Sequence, residues 1–271
     1  MPTFDNKVVI VTGGALGIGR ACALAFASEG AHVTIADINS TAAEETVHAI
    51  DAIRPGNIAH HVVADVSLAS HSQRVVQETV DRFGGVDVLF NNAGIQPQDS
   101  YQRAEDTTEE QWDRILNVNL KSYFLMSKYA LPEIRKRGGG AVINTASVQG
   151  LQSAPRVPAY AASKGGVLSL TRQLALDYAA DNIRVLAVCP GTIDTEMVRI
   201  AARLEPDGVE AALVRFGQSH PLGRIGTGQD IANVVLFLAS EAASFMTGEY
   251  VCVDGGYMAR GAWAGGAADD R

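Results

Sequence analysis

The chain of 271 residues is short of cysteine, of aromatic residues and of positive charge. Its three cysteines, Cys22, Cys189 and Cys252, lie far apart and form no Cys-x-x-Cys pair. An odd number cannot all pair within the chain, so a disulfide scaffold is excluded and buried thiols in a reducing cytoplasm are expected. The six histidines show no ligand spacing; His60 and His61 are adjacent and would point to opposite faces of a strand, so no metal is expected. No stretch approaches the roughly 18 uninterrupted apolar residues of a membrane helix. The opening Met-Pro-Thr-Phe-Asp carries neither the basic nor the apolar segment of a signal peptide. Basic residues number 22 against 30 acidic, a net charge of −8. That balance argues against a surface for nucleic acid or anionic lipid, and a soluble cytoplasmic protein is predicted.

What is present is a core. Hydrophobic residues make up 47% and charged residues 19%, which excludes disorder. The length suits one large domain that needs no staple. Short β-branched runs alternate with helical patterns. Strands are predicted at Lys7–Val11, His32–Ala36, Asn57–Ala64, Val86–Phe90, Ala141–Thr145, Ile183–Cys189 and Tyr250–Val253. Helices are predicted at Ile18–Ser28, Thr41–Ile53, Ala69–Phe83, Val157–Ala179 and Gln229–Ser240, with a long helical region from Thr108 to Arg137. Strands apolar on both faces, separated by helices, predict a parallel sheet covered on each side. One region, Thr192 to Gly228, is irregular, and the Gly/Ala-rich end beyond about residue 260 reads as a mobile tail.

Thr12-Gly13-Gly14-Ala15-Leu16-Gly17-Ile18-Gly19 leaves the first strand and opens a helix. A helix N-terminus presents free N–H groups and partial positive charge, which suits a pyrophosphate. Glycines at 13, 17 and 19 would permit the tight turn, the close ligand approach and the close helix–strand packing. The spacing is not Gly-x-Gly-x-x-Gly, and by itself it also fits a tight turn with no ligand. Asp37 ends the second strand, eighteen residues beyond Gly19. A carboxylate there is placed to accept both ribose hydroxyls of an adenosine, or to cap the next helix, although Asn39 and Ser40 could do that instead.

Further segments carry a resemblance: Asn91-Asn92-Ala93-Gly94 after the fourth strand, Asn119, Ser147, Tyr160-x-x-x-Lys164, and Pro190-Gly191 after the sixth strand. In this order, with the Thr-Gly-x-x-x-Gly-x-Gly turn, the chain resembles the short-chain dehydrogenase/reductase family from Lys7 to Gly256, including members known as glucose or other sugar dehydrogenases. The resemblance implies a single Rossmann-type, doubly wound, seven-stranded parallel sheet. It implies catalytic Asn119, Ser147, Tyr160 and Lys164. It implies NAD held by Gly13, Leu16, Gly17, Ile18, Gly19, Asp37, Ile38, Asp65, Val66, Asn91, Ala93, Gly94, Tyr160, Lys164, Pro190, Gly191, Ile193 and Thr195, with Thr192 near the carboxamide. Asn91 is also readable as a structural side chain. Asn119 would act through a backbone carbonyl that holds a water on the Lys164 amine. Leu16 stands where users of NADP often place a basic residue.

The chemistry asks for these types. A tyrosine ordinarily ionises near pH ~10, and bringing it to about 7 needs roughly 4 kcal/mol. One ammonium about 4 Å away supplies on the order of 4 kcal/mol at an effective dielectric of 20. Lys164, four residues beyond Tyr160, shares its helix face and is expected to lower the tyrosine's pKa, whereas Tyr-x-x-x-Lys in general is more often a surface pair. Ser147 would hold the reacting oxygen. Gln96, Gln149 and Arg156, with Ser147 and Tyr160, are the candidate substrate contacts. The amides, with a substrate lid at about 194–228, point to a sugar, polyol or small cyclic alcohol. Alternatives are a 3-oxoacyl-thioester reductase and a non-catalytic NAD-sensing protein on the same fold. A homotetramer is expected from the resemblance and from apolar helices and an apolar last strand and tail, the tail reaching a neighbouring subunit.

Overall fold

The computed structural model describes residues 4–56 and 58–260. Asn57, which opens the third predicted strand, and the tail beyond Arg260, including Trp263, lie outside the described residues.

Seven parallel strands form one sheet in the order β3-β2-β1-β4-β5-β6-β7. They are β1 (Val8–Thr12), β2 (His32–Asp37), β3 (Ala59–Val63), β4 (Val88–Asn91), β5 (Gly140–Thr145), β6 (Ile183–Pro190) and β7 (Tyr250–Val253). The helices are α1 (Gly17–Ser28), α2 (Ser40–Ile53), α3 (Ala69–Phe83), α4 (Glu109–Leu116), α5 (Ser122–Lys136), α6 (Pro158–Tyr178), α7 (Glu196–Ala202), α8 (Val209–Gln218) and α9 (Gly228–Ala239). β1 pairs with β2 on one side and β4 on the other. The chain reverses its winding direction between β1 and β4, so their carboxyl ends open a crevice.

All five residues of β1 are buried, which is why this segment reads as an unbroken apolar run. One face of the sheet packs against α1, α2 and α9 through residues such as Val9, Phe26, Ile35 and Val235. The opposite face packs against α3, α5 and α6 through Ile10, Val75, Met126, Leu131 and Leu174. This is the single Rossmann-type domain expected.

Two features depart from the sequence reading. The helical region Thr108–Arg137 is three segments: α4, a π-helical stretch at Asn117–Lys121, and α5. The irregular region contains two helices, α7 and α8, the first capped by Thr195 Oγ1 accepting from Val198 N. Among the described residues no helix is long and apolar enough to cross a membrane, and no cluster of His, Cys, Asp or Glu could hold a metal ion.

Candidate active site

The crevice at the carboxyl ends of the strands is a cleft of about 1040 Å³. One end is built by the turn between β1 and α1. Gly13 and Gly17 have φ of +61° and +53°, a region that disfavours side chains. A Cβ on Gly13 would come within 2.9 Å of Ala93 Cα, and one on Gly19 would meet Asn92 Nδ2 at 2.7 Å. The three glycines therefore serve the turn and its packing as the sequence suggested. α1 begins at Gly17 with no side-chain cap and no acidic residue in its first turn. Its amino end faces the cleft, where Gly13, Leu16, Gly17 and Ile18 line the wall. This uncapped end suits a diphosphate.

Asp37 stands beside the turn. Its Oδ2 accepts from Ala15 N at 3.1 Å and its Oδ1 from Asn39 N at 3.0 Å. Asn39, not Asp37, caps α2, accepting from Ala42 N. A carboxylate offers about four acceptor sites, so each Asp37 oxygen keeps one for a ligand. Leu16 and Ile38 flank it with 53% and 71% of their surface exposed, an apolar rim where a base or ribose can rest. Asp65 and Val66 line the same end; Asp65 Oδ1 is already held by Ser67 N and Ser67 Oγ. Pro190, Gly191, Thr192, Ile193 and Thr195 close the opposite wall. The residues present thus fit a nicotinamide dinucleotide.

Asn91 takes the structural one of its two readings. Its side chain is wholly buried and donates to Asn144 Oδ1 at 2.9 Å, within the core and away from the cleft lining. The pleat turns its neighbour Asn92 to the cleft instead. Asn92 Nδ2 donates to the carbonyls of Thr12 and Gly13, and Thr12 Oγ1 accepts from Asn92 N and Ala93 N. These bonds tie the end of β4 to the glycine turn. Ala93 and Gly94 line the cleft as expected.

At the deep end stand Ser147, Tyr160 and Lys164. Ser147 follows β5, and its Oγ accepts from Gln149 N at 3.1 Å. Its hydroxyl also acts on the Tyr160 phenol, in the sense that favours the ionised form. Lys164 lies one turn along α6 from Tyr160, is 3% exposed, and donates to the carbonyl of Thr145 at 2.7 Å. Its Nζ sits 5.5 Å from the Tyr123 ring centre and 5.8 Å from that of Tyr160. Burial pushes Lys164 down to about 7. Burial pushes Tyr160 up to about 12, against the opposing effect of the Ser147 hydrogen bond. The expected lowering of the tyrosine is therefore corrected for the chain by itself. Both groups lose water, and the lysine's bond goes to a backbone carbonyl rather than to the phenol.

Asn119 sits in the π-helical stretch, fully buried. Its Oδ1 accepts from Ile95 N at 2.7 Å and its Nδ2 donates to Ile95 O at 2.9 Å, with a further bond to Ser163 Oγ at 3.3 Å. The side chain clamps the strand-end loop Gly94–Gln96 against α6. Such π segments recur at functional sites because they reset the helical phase.

Gln96 and Gln149 line the cleft. Arg156 does not: it is exposed, has φ of +65°, and borders a separate hollow with Gln102 and Arg103. Tyr101 and His220 are among the cleft residues that escaped sequence reasoning. Tyr101 faces the site from the loop before α4. His220 is 3% exposed; its Nε2 accepts from Thr192 N and its Nδ1 donates to Phe216 O at 2.8 Å. It fastens the wall at Thr192 to α8. A lone histidine 28 residues from its partner leaves no local signal.

A parallel Rossmann-type sheet, a glycine turn at an uncapped helix and a Ser–Tyr–Lys set in one cleft define a nicotinamide-dependent oxidoreductase. The family model described as "Enoyl-(Acyl carrier protein) reductase" matches residues 13–258, and the chain belongs to the short-chain dehydrogenase/reductase family. Among its relatives, cyclohexanol dehydrogenase of Acinetobacter sp. is 38% identical over 257 residues, covering 95% of this chain and 97% of that one. Levodione reductase of Leifsonia aquatica is 38% identical over 94% of this chain and 96% of its own. A crystal structure of levodione reductase matches with a TM-score of 0.91 at 37% identity, covering 95% of this chain and all of that one. The aldohexose dehydrogenase of Thermoplasma acidophilum matches with a TM-score of 0.85 at 37% identity, covering 96% of each chain.

Proposed function

We propose that the protein interconverts a secondary alcohol and its ketone with NAD(H), the substrate being a sugar, polyol or small cyclic alcohol. The single observation that carries the reading is the convergence of Ser147, Tyr160 and Lys164 at one end of a cleft whose other end holds Asp37 beside an uncapped helix. A nicotinamide dinucleotide, which the glycine turn, Asp37 and the Pro190–Thr195 wall would hold, would supply the hydride acceptor or donor. Ser147 Oγ hydrogen-bonds the reacting oxygen and holds it against Tyr160. Tyr160 takes the hydroxyl proton on oxidation and returns it on reduction. Lys164, when charged, favours the tyrosinate, and an added positive charge in the cleft acts in the same sense. Asn119 keeps the facing loop in register.

Asp37 supports NAD over NADP. A 2′-phosphate facing it would be repelled by on the order of 4 kcal/mol per unit charge pair at 4 Å and an effective dielectric of 20, and Leu16, Ile38, Asn39 and Ser40 supply no compensating cation. The names of the relatives, cyclohexanol dehydrogenase and aldohexose dehydrogenase, support the alcohol class. A relative in Thermotoga maritima named 3-oxoacyl-[acyl-carrier-protein] reductase, 39% identical over 94% of this chain, supports a 3-oxoacyl-thioester reductase as a second reading. The two separate on a substrate panel: cyclic alcohols and aldohexoses with NAD on one side, a 3-oxoacyl thioester with NADH and NADPH on the other, each followed by nicotinamide absorbance. Turnover of the thioester alone would overturn the first reading. We further read a cytoplasmic protein and, from exposed apolar residues on the helices, Trp112 at 39%, Phe124 at 49% and Leu176 at 79%, and from Phe245 at 104%, a homotetramer.

A further inference from the structure

A residue that lines the cleft carries a donor that the protein itself leaves unmatched. Gln96 is 8% exposed and lines the cleft, yet its Nε2 has no hydrogen-bond partner in the protein. A buried side-chain amide without a partner is uncommon, and at a binding site its partner is a ligand group. The segment that carries it is fixed on both sides. Asn119 holds both the N–H and the C=O of Ile95. After it, Ser100 N and Ser100 Oγ both donate to the carbonyl of Pro97, and Gln111 Nε2 donates to the carbonyl of Asp99. The amide is therefore presented on a preset loop rather than on a mobile one.

The loop also places it near the reacting centre. A Cβ built on Gly94 lies 3.6 Å from Lys164 Nζ, and Gln96 is two residues on, at most about 7.6 Å between Cα atoms. In the same cleft Gln149 has its Oε1 occupied by Ala154 N at 3.1 Å, which leaves its NH₂ as the free end. The lining of the cleft also includes the apolar side chains of Ile95, Val148, Met197, Leu204 and Phe216.

From this arrangement, and resting on the reading of the site as an alcohol dehydrogenase, we infer that Gln96 is a specificity-determining residue that binds a second oxygen of the substrate, close to the carbon that is oxidised. The substrate class is a small ring with an apolar body and a hydroxyl beside the reacting one: a cyclic vicinal diol or the hydroxyketone it yields. A hydroxyl suits the site twice over, since it accepts from the amide NH₂ and, with the amide turned over, donates to its carbonyl. A plain cyclic alcohol leaves the buried amide unmatched, which is how a polar pocket discriminates.

The test compares cyclohexanol with cyclohexane-1,2-diol as substrates of the wild-type enzyme and of Gln96→Leu, with NAD in excess. The quantity read is the ratio of kcat/KM for diol to that for cyclohexanol, and comparing this ratio between enzymes cancels the intrinsic reactivity of the two alcohols. Loss of one neutral hydrogen bond should lower the ratio at least about 5-fold in the variant. If Gln96→Leu does not fold by thermal melting, Gln96→Met, closer in volume, takes its place. A ratio unchanged within 2-fold, or a wild type that oxidises cyclohexanol and not the diol, overturns the inference while leaving the alcohol reading intact. A wild type that oxidises neither of these, nor an aldohexose, with NAD or NADP overturns the alcohol reading itself.

Discussion

Lys164 Nζ donates to the carbonyl oxygen of Thr145 at 2.7 Å, and the Tyr123 hydroxyl donates to that same oxygen at 3.2 Å. One backbone carbonyl at the end of β5 thus fixes the lysine at the floor of the cleft. The bond holds the amine in place but supplies no counter-charge, so burial dominates and Lys164 falls to about 7.

That depression has a consequence for stability. A lysine with a folded-state pKa near 7 and an unfolded value near 10.4 binds fewer protons when folded, so its contribution to stability rises with pH across that interval. Cys22 and Cys189, raised by burial, contribute with the opposite sign above about pH 8.5. The clean window is therefore pH 7 to 8.5. Denaturant unfolding of wild type and Lys164→Met should diverge there, the wild type gaining on the order of 1–2 kcal/mol relative to the variant. Parallel curves would show that the lysine is not depressed.

Asp37→Ala should shrink the preference for NAD. The wild type is expected to favour NAD at least about 100-fold in kcat/KM, which corresponds to roughly 2.7 kcal/mol. Steady-state kinetics with both cofactors decide it, and a wild type preferring NADP would remove Asp37 from the ribose site. Because Asp37 Oδ2 also holds Ala15 N, the variant should bind both cofactors somewhat more weakly.

Asn119→Ala removes two bonds to Ile95 and one to Ser163. Stripping a buried backbone pair of its partner costs on the order of 1–3 kcal/mol per group. Unfolding should shift accordingly, and kcat should fall with the loop freed. Stability and kcat both at wild-type levels would contradict the clamp.

Exposed Phe124, Leu176 and Phe245 should be covered in solution. Light scattering at micromolar protein should give a tetrameric mass; a monomer would exclude the reading.

Much of this was legible in the sequence. The strands announced themselves because both faces of the sheet are covered, and the glycine turn because its φ values tolerate little else. Tyr160 and Lys164 were found together because one helical turn enforces their proximity. The misses have physical reasons. Which of Asn91 and Asn92 faces the cleft depends on the phase of the pleat at the strand end. The π stretch at Asn117–Lys121 keeps helical composition, so nothing in the residue pattern marks it. Arg156 lies close in sequence to Tyr160, but a left-handed residue turns it outward. The direction of the Tyr160 shift follows from burial, which spacing does not reveal.

The most direct test of the central claim is Tyr160→Phe. The substitution removes only the hydroxyl that exchanges a proton with the substrate. We expect NAD binding, read by titration of protein fluorescence, to persist, and oxidation of any alcohol the wild type accepts to fall by at least about 100-fold, in the range set by loss of a general base. For the wild type, oxidation should quicken as pH rises, because Tyr160 starts protonated. Undiminished turnover by the Tyr160→Phe enzyme would contradict the account.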